Sequence, residues 1–257
     1  MPLHALPALA DNLVWTLQRE PGAPAVIVDP GEAGPVLAAA DAGLQPAAVL
    51  LTHHHLDHVG GVAGLLARWP ALDVVAPHDA RIVDATRRVD DGARFEAAGI
   101  AFEVLAVPAH TRSHVAYLAD LDPPVLFCGD TLFSLGCGRL FEGTPADLAA
   151  ALARLAHLPG ATRVCCGHEY TLANARFAQA VEPGNPDLHA CIARARDALA
   201  RDGCSLPSTI DAERRANPFL RACIPAVRAA ASARAGRPLH SDVEVLATLR
   251  AWKDVFA

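Results

Sequence analysis

The chain divides by the period of its apolar positions. Short apolar, β-branched runs recur between turn residues through the first two thirds: Leu13 to Gln18, Ala25 to Asp29, Ala48 to Thr52, Asp73 to Ala76, Ile100 to Val107, Val115 to Leu118, Val125 to Cys128 and Arg163 to Cys166. Runs of that length and composition predict strands. Helices are predicted among them at Val62 to Trp69 and at Ala146 to His157. Thr144 as N-cap and Pro145 at the first helical position open the second, and Leu148, Leu152 and Leu155 form its apolar stripe. After about residue 172 helical spacing takes over. Leu188, Cys191, Ile192, Ala195 and Leu199 recur along Pro186 to Asp202, which closes at Gly203, and Ser241 with Glu244 predicts a capping box for a last helix ending near Phe256. The expected organisation is α+β: a sheet domain over residues 1–172 and a helical domain over 173–257.

Composition narrows the function classes. A chain of 257 residues with 52% hydrophobic content buries enough surface to fold without staples. A formal charge of -6 withholds the basic surface that a nucleic-acid groove needs, so no nucleic-acid partner is expected. The 7 cysteines are odd in number, lack CxxC spacing and include the adjacent Cys165 and Cys166, a pattern of reduced cytosolic thiols. The start of the chain lacks the basic and apolar regions of a signal peptide, and no stretch approaches ~18 uninterrupted apolar residues. A cytoplasmic protein without a membrane segment is expected.

The chemistry concentrates at Thr52-His53-His54-His55-Leu56-Asp57-His58-Val59-Gly60-Gly61, directly after the predicted strand Ala48 to Thr52. In an extended segment His53 and His55 face one side, and a turn into a helix near Asp57 carries Asp57 and His58 toward the same space. Imidazole and carboxylate suit zinc, iron or manganese, and a pair of such ions needs bridging oxygen ligands. His110, Asp130 and His168 each follow an apolar run at a turn. Singly, each reads more simply as a turn or hydrogen-bonding residue; their shared place at strand ends, together with the histidine run, makes them candidate ligands.

HxHxDH followed by an isolated His, an Asp and a final His is the ligand order of the metallo-β-lactamase superfamily, which the chain resembles over residues 53–168. Within it the chain is most similar to glyoxalase II, the hydroxyacylglutathione hydrolases. The similarity is carried by Asp11-Asn12, Val28-Asp29-Pro30-Gly31, Gly129-Asp130-Thr131-Leu132-Phe133, Gly136-Cys137-Gly138-Arg139, Phe141-Glu142-Gly143-Thr144, Gly167-His168-Glu169-Tyr170 and Asn217-Pro218-Phe219. The resemblance implies an αββα sandwich followed by a small helical domain. It implies one metal on His53, His55 and His110, another on Asp57, His58 and His168, and Asp130 bridging them, with zinc expected first and iron or manganese as alternatives. It further implies hydrolysis of S-D-lactoylglutathione to D-lactate and glutathione by a bridging hydroxide that Asp57 and Asp130 orient, in a monomer.

The family's glutathione-binding positions map to Arg139, Phe141, Tyr170, Arg250 and Lys253. Arg250 and Lys253 stand i, i+3 on the last helix, a spacing that otherwise marks two solvated charges. Arg139 replaces a frequent lysine, Phe141 a frequent tyrosine, and Ser113 a frequent glycine, a change costing about 1 kcal/mol if a positive φ is needed there. His114 is expected to support a ligand by hydrogen bonding and His54 to point away. The remaining histidines are read as surface or packing residues and the cysteines as small buried hydrophobes. Two other readings share the histidine run. One is a persulfide dioxygenase with a single iron, against which residues 173–257 speak; the other is a non-catalytic metal-binding module.

Overall fold

A computed structural model describes residues 2–256. By packing, these residues form two compact units. The first comprises the chain through Ala106 with Ser113–Gly129 and Cys165–Glu169; the second comprises Val107–Arg112, Asp130–Val164 and the chain from Tyr170 onward.

The first unit holds β1 (Leu3–Ala8), β2 (Asn12–Gln18), β3 (Ala25–Val28), α1 (Gly34–Asp41), β4 (Pro46–Leu50), α2 (Leu56–Val59), α3 (Val62–Arg68), β5 (Asp73–Pro77) and β6 (Arg87–Val89). After them come β7 (Arg94–Ala97), β8 (Ile100–Ala106), β9 (Val115–Ala119) and β10 (Val125–Gly129). The six strands β1 to β6 lie in sequence order in one sheet. β1, β2 and β3 pair antiparallel and β3, β4, β5 and β6 pair parallel. Strands β7 to β10 form an antiparallel meander in a second sheet. On its outer side the first sheet buries Val14, Ile27, Val49 and Val74 together with Val36 of α1 and Val62 and Leu65 of α3. Because β2, β3 and most of β4 and β5 are buried on both faces, they read in sequence as continuous apolar runs, as covered parallel strands do. The buried hydroxyl of Tyr117 on β9 donates to the Leu51 carbonyl at 2.9 Å, and the Trp15 indole on β2 donates to the Cys166 carbonyl at 2.8 Å. The two sheets are thus tied by polar tips of otherwise apolar side chains.

The second unit holds the two-residue strands β11 (Leu132–Phe133) and β12 (Gly136–Cys137), then α4 (Pro145–Ala156). β13 (Arg163–Cys166) follows, its first half in this unit and its second half in the other. Then come α5 (Thr171–Val181), α6 (Pro186–Asp202), β14 (Ser208–Thr209), α7 (Ile210–Ala216), a 3-10 turn at Pro218–Leu220, α8 (Pro225–Ala235) and α9 (Asp242–Asp254). The predicted caps are present: Thr144 with Asp147 and Ser241 with Glu244 form reciprocal capping boxes, and Gly203 closes α6 in the left-handed conformation. Leu188 and Ile192 of α6 pack on Ala175 and Ala178 of α5 with Leu135 and Ala216. Phe177 is met by Phe219, Trp252 and Phe256. One departure from the all-helical expectation after residue 172 is β14, whose Ser208 and Thr209 pair with Val164 and Arg163. A second concerns the cysteines: Cys128, Cys137, Cys165 and Cys166 are buried as small apolar residues, whereas Cys223 is exposed.

Candidate functional site

In the first unit the histidine run leaves the C-terminal end of β4. Leu51 and Thr52 are fully buried, His53 is buried with them, and His55 keeps extended angles as the N-cap of α2. Asp57 and His58 then lie in the first turn of α2. Gly31 and Gly61 make this tight path possible, since a Cβ on Gly31 would stand 2.0 Å from the Asp57 carbonyl oxygen and one on Gly61 2.6 Å from the Pro30 carbonyl oxygen. His53 Nε2 and His55 Nδ1 lie 3.1 Å apart. Asp57, His58 and His168 bring one ligand atom each to within 4.8 Å of one another, with Asp57 Oδ2 at 3.6 Å from His58 Nε2 and 3.4 Å from His168 Nε2.

The outward side of each ring is anchored. His58 Nδ1 is 3.1 Å from Asp29 Oδ2, and His168 Nδ1 is 2.8 Å from Asp11 Oδ1. A carboxylate accepts only, so each Nδ1 carries the proton and each Nε2 carries the lone pair, the tautomer that a metal-ligating imidazole needs. Asp29 also accepts from the Thr52 amide at 2.8 Å and the Thr52 hydroxyl at 2.7 Å. Thr52 Oγ1 in turn stands 3.1 Å from His53 Nδ1. Asn12 donates to Asp57 Oδ2 at 3.1 Å and to the Asp57 carbonyl at 3.0 Å. Asp11, Asn12 and Asp29 contact the candidate ligands directly, a role the sequence did not assign to them.

His114 is buried and stacks on His53 at 4.6 Å between ring centroids. His54 turns to Asp79, 3.5 Å away, and Arg81, with Ser113, holds the Asp79 carboxyl well below the usual range against its burial. Ser113 has no positive φ, so it carries none of the strain expected of a glycine replacement; its hydroxyl donates to Asp79 at 2.6 Å.

In the second unit His110 Nε2 and Asp130 Oδ2 lie 3.5 Å apart, both residues buried. His110 Nδ1 is 2.9 Å from the Arg139 carbonyl, which fixes this ring in the same tautomer. Phe141 is 62% exposed and meets the His110 ring edge-on at 5.1 Å. Tyr170 packs on Phe133. Arg139 is exposed, with Nε 3.7 Å from Asp254. Arg250 is placed otherwise than on an open helix face beside Lys253. It is 5% exposed, and its guanidinium donates to the Cys137 carbonyl at 2.7 Å and to Asp254 at 3.1 Å. Lys253 is half-buried over the Phe177 ring. Burial first, then the charges of Arg250, Arg176 and Arg139, pulls its amine below the ordinary lysine value. Arg176 joins this cationic group from α5, and nothing in its sequence context marks it.

Two family profiles divide the chain. "Metallo-beta-lactamase superfamily" matches residues 13–168 and "Hydroxyacylglutathione hydrolase C-terminus" matches residues 169–256. A hydroxyacylglutathione hydrolase of Xanthomonas campestris pv. campestris is 54% identical over 257 residues, 100% of this chain and 99% of the relative. The chain belongs to the hydroxyacylglutathione hydrolases of the metallo-β-lactamase superfamily. Its fold is accordingly the metallo-β-lactamase sandwich followed along the chain by the helical domain of the hydroxyacylglutathione hydrolases. The crystal structure of ETHE1 from Myxococcus xanthus shares that fold at a TM-score of 0.66 and 24% identity, covering 97% of this chain and 90% of the other. A crystal structure of TTHA1623 in a di-iron-bound form is 31% identical at a TM-score of 0.54, covering 65% of this chain and 92% of the other. Asp57, His58 and His168 in the first unit are a cluster of the residue types that hold metal ions. Among the described residues no helix is long and apolar enough to cross a membrane.

Proposed function

We propose that this chain hydrolyses S-D-lactoylglutathione and related 2-hydroxyacyl thioesters of glutathione to the hydroxy acid and glutathione, in the cytoplasm and as a monomer. The observation that carries the reading is the outward anchoring of Nδ1 on His58, His168 and His110, which leaves an imidazole lone pair beside a carboxylate in each case. Such donor sets fit divalent ions of the zinc, iron and manganese class. His53, His55 and His110 would hold one ion, Asp57, His58 and His168 a second, and Asp130 both, with zinc the first expectation. The di-iron form of the 31% identical relative supports two ions in preference to one. Ions bound there supply a hydroxide near neutral pH and positive charge for a developing oxyanion.

The chain's own groups do the rest. Asp57 is held in place by Asn12 and orients the attacking oxygen with Asp130. Arg139 and Lys253 attract the glutathione carboxylates. Arg250, whose donors are engaged by Cys137 and Asp254, adds charge behind Lys253. Phe141 and Tyr170 give apolar contact. A thiol of pKa about 8.5 leaves as thiolate without a strong general acid, so none is required. The division of labour between a catalytic region over 1–172 and a glutathione-binding region over 173–257 is part of the same proposal, supported by the junction of the two profiles at residues 168 and 169.

The test is anaerobic incubation of metal-loaded protein with S-D-lactoylglutathione, following thioester loss and free thiol, beside Asp130→Ala and an oxygen-uptake assay with glutathione persulfide. Thioester turnover without oxygen, abolished in the variant, is expected. Oxygen uptake with persulfide and an untouched thioester would replace the hydrolase with a dioxygenase, a reading against which the match over 169–256 already tells.

A further inference from the structure

Asn217-Pro218-Phe219 is one of the stretches that carry the resemblance in sequence, yet no step of the reaction uses it. Asn217 is 0% exposed and its neighbour across one helical turn, Glu213, is 1% exposed. A buried carboxylate and a buried amide are costly unless every polar atom is answered. Several of their partners belong to one short hairpin. Leu132 pairs with Cys137 and Phe133 with Gly136, and Leu135 turns the chain with a φ of 57°. The two protons of Asn217 Nδ2 are shared among three acceptors, the Phe133 carbonyl at 3.1 Å, the Gly136 carbonyl at 2.9 Å and Glu213 Oε2 at 3.0 Å. The same Oε2 accepts from the Leu135 amide at 2.8 Å, while Oε1 accepts from the Ser208 hydroxyl. Asn174 of α5 donates to the Ser134 carbonyl at 3.0 Å from the other side.

The arms of this hairpin are the mounts of two proposed metal ligands. Asp130 begins the first arm. Gly138 ends the second so close to it that a Cβ there would fall 1.8 Å from the Asp130 carbonyl oxygen. The next carbonyl, of Arg139, holds His110 Nδ1 at 2.9 Å. A shift of the turn is therefore passed along both arms to Asp130 and, through Arg139, to His110.

We propose that Glu213 and Asn217 are positioning residues of the hydrolytic site, fixing the Leu132–Cys137 hairpin and through it the placement of Asp130 and His110 for metal binding; this rests on the proposed function above. Fully satisfied polar networks specify one arrangement where an apolar contact tolerates several, and a misplacement near 1 Å at such a site costs about 100-fold in rate.

The experiment compares Glu213→Ala, Glu213→Gln, Asn217→Ala and Asn217→Asp in the full metal-loaded chain. It reads melting temperature, metal retained against a competing chelator, and kcat and KM for S-D-lactoylglutathione. Glutamine keeps an oxygen for Leu135 and Asn217 and meets Ser208 with its amide, so Glu213→Gln is expected within about threefold of wild type in both readings. The alanine variants are expected to lose metal about tenfold more readily and to lose about 10- to 100-fold in kcat with KM within about twofold. Asn217→Asp, which sets a second carboxylate against Glu213, is expected to be the worst. Folded alanine variants with wild-type metal retention and kcat would overturn the proposal, because a purely structural role moves only the melting temperature. Should the alanine variants fail to fold, Asn174→Ala, which removes one hydrogen bond from the same turn, decides by the same readings. If the wild-type protein leaves the thioester intact, the reaction proposed above fails and metal retention alone judges the clamp.

Discussion

Asp29→Asn isolates the anchoring of a ligand ring from everything else at the site. Asp29 has a φ of 51°, a conformation that asparagine adopts more readily than other residues, so the substitution leaves the backbone unstrained where alanine would not. The substituted side chain retains one carbonyl oxygen, sufficient for the Thr52 amide now at 2.8 Å. Its amide nitrogen then faces His58 Nδ1, now 3.1 Å from a carboxylate oxygen. Two donors cannot share that contact. His58 escapes by moving its proton to Nε2, which removes the lone pair proposed to bind metal. Loss of such an outer partner costs about 10- to 100-fold in metal affinity, or about 1.4 to 2.7 kcal/mol. The metal-free fold loses at most one ordinary hydrogen bond, about 1 kcal/mol. The assay is a chelator competition for bound metal on wild type and Asp29→Asn, with thermal melts of both metal-free proteins. Equal metal affinity in a variant of unchanged fold would show that the Asp29 contact does not set the His58 tautomer, and the reasoning from anchored Nδ1 atoms would fall for His168 and His110 as well.

Gly31→Ala places a Cβ 2.0 Å from the Asp57 carbonyl oxygen, a backbone clash expected to cost about 1 to 3 kcal/mol and to displace Asp57; an unchanged melting temperature and metal content would count against it. Arg221→Ala leaves the buried Glu182, now 2.8 Å from the guanidinium, without its partner. Burial alone would raise the Glu182 carboxyl, but Arg221 and Asn185 outweigh it and hold it low, so chemical denaturation should show a loss of about 3 kcal/mol, partly recovered when Glu182→Leu is added. At the start of α9 the His240 amide, then Arg237 and the Ser241 amide, hold Glu244 at about 2. A folded value below the unfolded one stabilises above the unfolded value and is lost as pH falls toward the folded one. Denaturation midpoints should therefore decline between pH 4.5 and about 2, and Glu244→Gln should flatten that part of the decline.

Elements with a long apolar period were legible in the sequence. α6 spans the predicted Pro186–Asp202, β13 spans Arg163–Cys166, and β8 differs from its prediction by one residue at its end. β1 was not legible: Pro7 interrupts a run that is only partly buried at the edge of its sheet, and an edge strand is where proline is tolerated. β11, β12 and β14 are two-residue strands, too short for any period to appear. At the site, the ligand candidates announced themselves as residue types at strand ends. The interior placement of Arg250 did not, because its i, i+3 relation to Lys253 describes a helix face and not what covers that face.

By itself the sequence determined which side chains can bind metal and in what order they arrive, since imidazole and carboxylate chemistry belongs to the residue and the histidine run follows directly from an apolar strand. Tertiary structure decided which nitrogen of each ring keeps its lone pair. The partners that set the tautomers of His58 and His168 stand 29 and 157 residues away along the chain, and only the paired strands bring those carboxylates to the outward side of the rings.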